Sequence, residues 1–342
     1  MKMSEQAKRS VLAILLFFFT MQCRQSAGVS EDIPAQADAS LKSDSVSRSS
    51  GIVYFSFDNG LTWQNQSKGL PLVVNISLGA IAVSGDMLAL ATREGGIYFF
   101  DTSTNAWQSI PTEQKILEEG SGPLIFHNGG LYFGTKGGGV FFSADKGQSW
   151  QRINAGLQNL TIRRFAEVSG ILYAGTNVGL YSYDDTRQLW QMEYGNSTLQ
   201  VNAIMEFGRE LYIATNQGAF ATTKDKRGWK PVLTGHSLHN IGSDGRNIYA
   251  LTYSELFVSR DTAVTWISDQ KGLPAGLYTF NVKSAGSNVL AGQWDGVYRK
   301  APGEELWIFS STGLPQDFAI TNMQVHNGVV VVSGAKRDVI VL

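Results

Sequence analysis

The chain has one cysteine, Cys23, in 342 residues. An internal disulfide and a cysteine-cluster metal site are therefore both excluded. Charge of one sign is missing too: 28 basic residues stand against 29 acidic ones, a net charge of −1. That balance gives no electrostatic reason to expect nucleic acid or an anionic membrane surface as partner. The apolar run Val11–Met21 is too short to span a bilayer. Histidine is scarce, at four residues, and His236-x-x-His239 lacks the glutamate and the helix of a zinc-protease site. Neither a metal nor a cofactor is expected. Proline is also scarce, eight residues against 37 glycines, and the glycines recur at fixed places, as in sheets joined by tight turns.

What is present is the composition of a folded globular protein, 43% hydrophobic and 17% charged. Its first fifty residues read differently from the rest. Lys2, Lys8 and Arg9 precede the run Val11–Met21, which is the order of a secretory signal. The run stops almost at Cys23. This arrangement resembles a bacterial lipoprotein signal, which implies that Cys23 becomes a lipidated N-terminus. Thr20-Met21-Gln22 depart from the leucine and small residues of that signal, and cleavage after Ala27 is the alternative. Residues 24–50 hold Ser, Ala and Asp and little that is apolar, so they read as a disordered tether. The expected division is signal peptide 1–22, tether 23–50 and folded domain 51–342. The expected location is the cell envelope or outer membrane, or secretion, with membrane contact only through a lipid anchor.

From residue 51 onward the chain repeats itself. LYFGTKGGGVFFSADKGQSW (131–150) aligns with 88–107, 172–190 and 211–229, and less closely with 248–266 and 289–307. Terminal tryptophans fall at 63, 107, 150, 190, 229, 266 and 307, a spacing of 37 to 44 residues. Four short antiparallel strands in such a unit make one propeller blade, so the expected fold is all-β, a seven-bladed β-propeller. The first copy is a second half-unit (51–63) and the last a first half-unit (329–342), which predicts a shared blade that closes the ring. Ile52–Ser56 and Val339–Leu342 both suit the third strand of that blade.

Three units carry S-x-D-x-G-x-[ST]-W or a close variant. They are Ser56 to Trp63 with Asp58 and Gly60, Ser143 to Trp150 with Asp145 and Gly147, and Ser259 to Trp266 with Asp261 and Ala263. Asp185 alone survives in the unit ending at Trp190. The Asp carboxylate suits the backbone N–H groups of a hairpin, Gly a positive φ, and Trp the packing between blades. One carboxylate per hairpin is too few oxygens for calcium, so these residues are expected to hold the fold. The pattern resembles the Asp-box (BNR) family of propellers, among them sialidases, sortilin-like receptor domains, two-propeller xyloglucan hydrolases and photosystem assembly factors. The resemblance implies that the hairpins lie opposite a ligand face.

That face would be formed by the turns between second and third strands. They are Arg93-Glu94, Lys136-Gly137, Asn177-Val178, Asn216-Gln217, Tyr253-Ser254, Trp294-Asp295 and Lys336-Arg337. Tyr253, Trp294, Asp295, Arg93, Glu94, Lys336 and Arg337 are the candidate ligand residues, since an aromatic pair with polar neighbours suits a sugar or a peptide. Gly-Leu phrases at 69–70, 156–157, 272–273 and 313–314 repeat and read as architecture. Arg163-Arg164 reads as a solvated pair in a connection. No F-R-I-P element precedes the first blade and one propeller cannot cradle a ligand between two, so the hydrolases of the family are poorly matched. The function expected is a monomeric, non-catalytic binding or assembly module for a protein, peptide or glycan. The alternative is a glycoside hydrolase, which needs two carboxylates roughly 5–10 Å apart.

Overall fold

Second strands of the repeat are almost wholly apolar, for example Leu211-Tyr-Ile-Ala, and both faces of such a strand must be covered. The computed structural model describes residues 51–336 except 72, 73, 75, 94, 95, 224, 226, 227, 277 and 278. Glu94, Arg337 and the segment with Cys23 lie outside the described residues. Within them the chain forms seven four-stranded antiparallel sheets. Each begins on an inner strand, and we number the blades by these. They are Ile81–Ser84, Ser121–His127, Ile162–Val168, Val201–Phe207, Leu238–Ser243, Asn281–Ala285 and Phe318–His326. Every inner strand adjoins that of the next blade, and the seventh adjoins the first, so the ring is closed. Apolar second strands such as Gly130–Thr135 are buried along their whole length because a blade packs on either side.

Blade 7 is built from both ends of the described chain. Val53–Ser56 pairs with Val329–Lys336, placing Val53 opposite Ser333 and Ser56 opposite Val330. The strand near the N-terminus therefore supplies the third position of the shared blade. The rival segment, Val339–Leu342, lies outside the described residues.

The three Ser-Asp hairpins share one hydrogen-bond pattern. In the first, Ser56 Oγ donates to Asp58 Oδ1 (2.7 Å), and the Gly60 N–H donates to Ser56 Oγ (2.8 Å). The Thr62 N–H and hydroxyl donate to the two oxygens of Asp58 (2.9 and 2.6 Å). Asp145 and Asp261 accept the same bonds from Ser149 and Thr265. Gly60 and Gly147 have φ of +86° and +87°, and Ala263 takes the same place at +64°. Asp185 does something else. It turns from its hairpin to His127 of the previous blade (3.1 Å), while Asp184 accepts the turn's N–H groups.

Tryptophan ties six of the seven blades to the one before. The indole N–H of Trp63, Trp107, Trp190, Trp266 and Trp307 donates to Ser310, Gln66, Ile153, Val232 and Asp269 carbonyls at 2.7–3.0 Å. Trp229 instead stacks on Tyr194. Trp150 is the departure from the expected pattern, since its indole donates to Gly147 of its own hairpin. The Gly-Leu phrases belong to this clamp. The backbone N–H groups of Trp63, Trp107, Trp190 and Trp307 donate to Thr312, Lys68, Ala155 and Lys271, each just before the glycine. A Cβ on Gly69, Gly156, Gly272 or Gly313 would lie 2.0–2.2 Å from the carbonyl oxygen of the same tryptophan. No side chain fits there, which is why the phrase repeats.

Candidate functional site

Turns between second and third strands are closed by the last residue of the second strand. Thr92, Thr135, Thr176, Thr215 and Thr252 hydroxyls donate across them to Gly96, Gly139, Gly179, Gly218 and Glu255 carbonyls (2.7–3.1 Å). These turns form one face of the ring. Inner strands begin on the same face, and there the ladder is interrupted. Registers jump between Ser121 and Leu124, Ile162 and Arg164, Val201 and Ala203, Leu238 and Asn240, and Ile320 and Asn322. Each jump is a bulge, and a bulge turns a side chain out of the regular alternation. The residues so turned are Gly122 and Pro123, Arg163, Asn202, His239 and Thr321, and all of them line one cavity.

This cavity is the mouth of the central channel, with a volume of about 440 Å³. All seven blades or their connections contribute to its wall. Its basic side chains, Arg93, Lys136, Arg163 and Arg164, come from blades 1 to 3, and its rings, His239, Tyr253 and Phe280, from blades 5 and 6. No carboxylate lines it among the described residues. The cations act on one another. Burial lowers the Lys136 ammonium, and the charges of Arg93 and Arg163 lower it further. Burial pulls Arg164 down to about 10, with Arg163 adding to it. His239 is pulled down to about 4, chiefly by burial, so it is neutral at pH 7; its Nε2 meets the Thr252 carbonyl at 3.0 Å.

The residues expected to bind ligand are partly brought together. Arg93 and Tyr253 line the cavity, and Tyr253 is 56% exposed, with His239 against its ring at 5.1 Å. Trp294 stands one layer back, packed on Phe280 at 4.9 Å. Asp295 Oδ2 accepts from the Tyr298 hydroxyl (2.9 Å), while its Oδ1 is buried with no hydrogen-bond partner among the described residues. Lys336 is exposed at the end of its strand, beyond the lining residues Gly334 and Ala335.

Arg163-Arg164 corrects an expectation. The pair lies in the inner strand Ile162–Val168 and not in a connection, because the strand starts earlier than the repeat suggests. Asn202, Phe280 and Lys136 were also not singled out. A signal did exist: Arg163-Arg164 stand where other inner strands have Gly122-Pro123, Asn202-Ala203, His239-Asn240 and Thr321-Asn322. The histidine pair is divided, His236 packing at a tilt on Phe257 and His239 facing the channel. No cluster of three metal-ligating side chains occurs among the described residues.

No family model matches this chain, and no curated protein matches it. Solved structures do resemble it. YCF48 from Cyanidioschyzon merolae shares 15% identity over 79% of this chain and 96% of its own, with a TM-score of 0.62. The extracellular domain of the putative hybrid two-component system BT3049 from B. thetaiotaomicron shares 15% over 79% of this chain, with a TM-score of 0.60. This chain spans 41% of that domain's length. A GH74 xyloglucanase from Xanthomonas campestris shares 13% over 76% of this chain and 51% of its own, with a TM-score of 0.58. These neighbours are seven-bladed propellers, and at such identities the likeness is one of fold.

Proposed function

We propose that this propeller is a non-catalytic binding or assembly module that takes a protein segment at the mouth of its central channel. One observation carries the reading: bulges on five inner strands aim side chains into a single open cavity that has cations and rings but no carboxylate among its described lining residues. A glycosidase of the usual kind needs a pair of carboxylates. A cavity of this size holds a short segment of chain, and its polarised wall gives that segment a direction. The structure of YCF48 bound to a D1 peptide supplies a precedent on the same fold.

The three Ser-Asp hairpins support the Asp-box reading. Export is supported by the apolar run before Cys23 and by extracellular domains among the structural neighbours. Mass spectrometry of the mature N-terminus tests lipidation: a diacylated Cys23 supports the anchor, and an N-terminus after Ala27 removes it.

The binding reading is tested by parallel peptide and glycan arrays probed with the full chain and with Tyr253→Ala and Trp294→Ala. Peptide binding that Tyr253→Ala weakens supports the proposal. Binding to a defined glycan that Trp294→Ala abolishes replaces the peptide with a sugar. Peptide binding indifferent to Tyr253→Ala and to changes at Arg163 moves the site away from the channel and overturns the assignment.

A further inference from the structure

A net charge of −1 gives the chain no general reason to be cationic at any one place. Four basic side chains nevertheless converge on the channel. Arg163 and Arg164, from the inner strand of blade 3, and Lys136, from a turn of blade 2, line the cavity; Lys283, on the inner strand of blade 6, is not part of that lining but lies near enough to feel the charge of Arg164. Blades 3 and 6 stand on opposite sides of the ring. Lys283 is two residues beyond Asn281, about 7 Å further along that strand.

Among the described residues, none of the four has a carboxylate within ion-pair distance. Their donors are largely unused. Arg163 gives Nε to Asn202 Oδ1 (2.5 Å) and Nη1 to Asn177 Oδ1 (2.9 Å). Arg164 gives only Nε, to the Asn202 carbonyl at 3.3 Å, and Lys283 has no acceptor among the described residues. The guanidinium of Arg164 is held out into the channel as far as Gly79 of blade 1. A Cβ on that glycine would lie 2.8 Å from Nη1 and 3.2 Å from Pro123 Cβ.

Crowding like charges in a partly dehydrated channel works against folding. The cost is visible in Lys283, whose ammonium is pulled down by burial and further by the charge of Arg164. The neighbouring ring offers no relief, since His239 is neutral. An oxyanion would reverse the balance, because guanidinium groups bind carboxylate and phosphate oxygens through paired, charge-assisted bonds.

We propose that the channel mouth is an oxyanion site, in which Arg163, Arg164 and Lys136 hold a carboxylate or phosphate group of the ligand, with Lys283 adding positive charge behind them. This rests on the binding-module reading and narrows it. The rings of His239, Tyr253 and Phe280 on the far side then face the uncharged part of the same ligand. An acidic peptide satisfies both halves; free phosphate satisfies only the first.

Calorimetric titration of the full chain at constant ionic strength tests this with three probes. They are inorganic phosphate, N-acetyl-diglutamate amide and the neutral N-acetyl-diglutamine amide. The diglutamate peptide is expected to bind about tenfold or more tighter than diglutamine, and Arg164→Gln to weaken it about tenfold. Lys136→Gln, at an exposed turn position, is expected to weaken it about threefold. Phosphate binding without diglutamate binding supports the site and makes its ligand a free oxyanion. Equal binding of diglutamate and diglutamine overturns the oxyanion site but leaves a peptide module standing. Absence of binding by both phosphate and diglutamate also overturns it. So does unchanged affinity in folded Arg164→Gln or, should that variant not fold, in Lys136→Gln.

Discussion

Arg163 Nε donates to Asn202 Oδ1 at 2.5 Å, and Asn202 Nδ2 donates in turn to the Leu238 carbonyl at 2.7 Å. The bond chain runs from the cavity wall of blade 3 through blade 4 to the start of blade 5. Asn240, Asn281 and Asn322 make the corresponding bond to the next blade without an arginine attached. Asn202 thus both closes the ring and orients a cation that lines the cavity. Asn202→Ala is expected to cost about 1–3 kcal/mol in denaturant unfolding, because it strands the Leu238 carbonyl. It should also weaken diglutamate binding, whereas Asn240→Ala should cost similar stability and leave that affinity unchanged.

The tryptophans should not be equivalent. Trp190 is fully buried and its indole bonds across to blade 2. Trp190→Ala is expected to cost about 3–5 kcal/mol. Trp150 is only partly buried and bonds within its own hairpin, so Trp150→Ala should cost less than half as much. Equal losses in urea unfolding would mean that the cross-blade clamp contributes little.

Gly156 tests the Gly-Leu phrase. With φ at +89° and the Trp190 oxygen 2.0 Å from the position of a Cβ, alanine meets both backbone strain and backbone collision. Gly156→Ala is expected to lower stability by about 2–4 kcal/mol. Gly170→Ala makes the control for strain alone, since nothing lies within 4 Å of its Cβ position at φ +76°.

Acid should destabilise the fold in two stages. Burial holds His239 at about 4 against an ordinary value of 6.5, so the folded state binds fewer protons than the unfolded chain in that interval. Stability is then lost as pH falls from about 6.5 to about 4. The second stage belongs to the hairpins. Bonds from the Ser149 side chain and backbone, with Ser143, hold Asp145 at about 2, and Thr265 does the same for Asp261. Asp58 also stands at about 2: burial pushes it up, but bonds from Thr62 and Ser56 outweigh that. Their contribution is present above the ordinary 3.8 and lost as pH falls toward 2. Thermal melts against pH should show both slopes, with His239→Gln removing the first and Asp145→Asn reducing the second.

The blade count, the hairpins and the turns around the channel mouth could all be read from residue order. Each is a local pattern: Thr92 or Thr135 ends a strand, two or three residues turn, and a tryptophan follows at a fixed distance. The bulges could not be read that way. A bulge is the mismatch of two strands, and nothing in Ile162-Arg163-Arg164 alone says which residue will be the extra one. Tyr253 and Arg93 line the cavity at turn positions that residue order suffices to place. Trp294 stands at such a turn too, but its packing on Phe280 depends on where the neighbouring inner strand begins.

By itself, the sequence determined the fold, because a repeat that cannot bury its apolar strands alone must stack on copies of itself until the ring closes. Tertiary structure alone decided that Arg163, Arg164, Lys136 and Lys283, from three blades, share one channel. Charges nearly 150 residues apart in the chain interact only once the ring has brought them across the same dehydrated space.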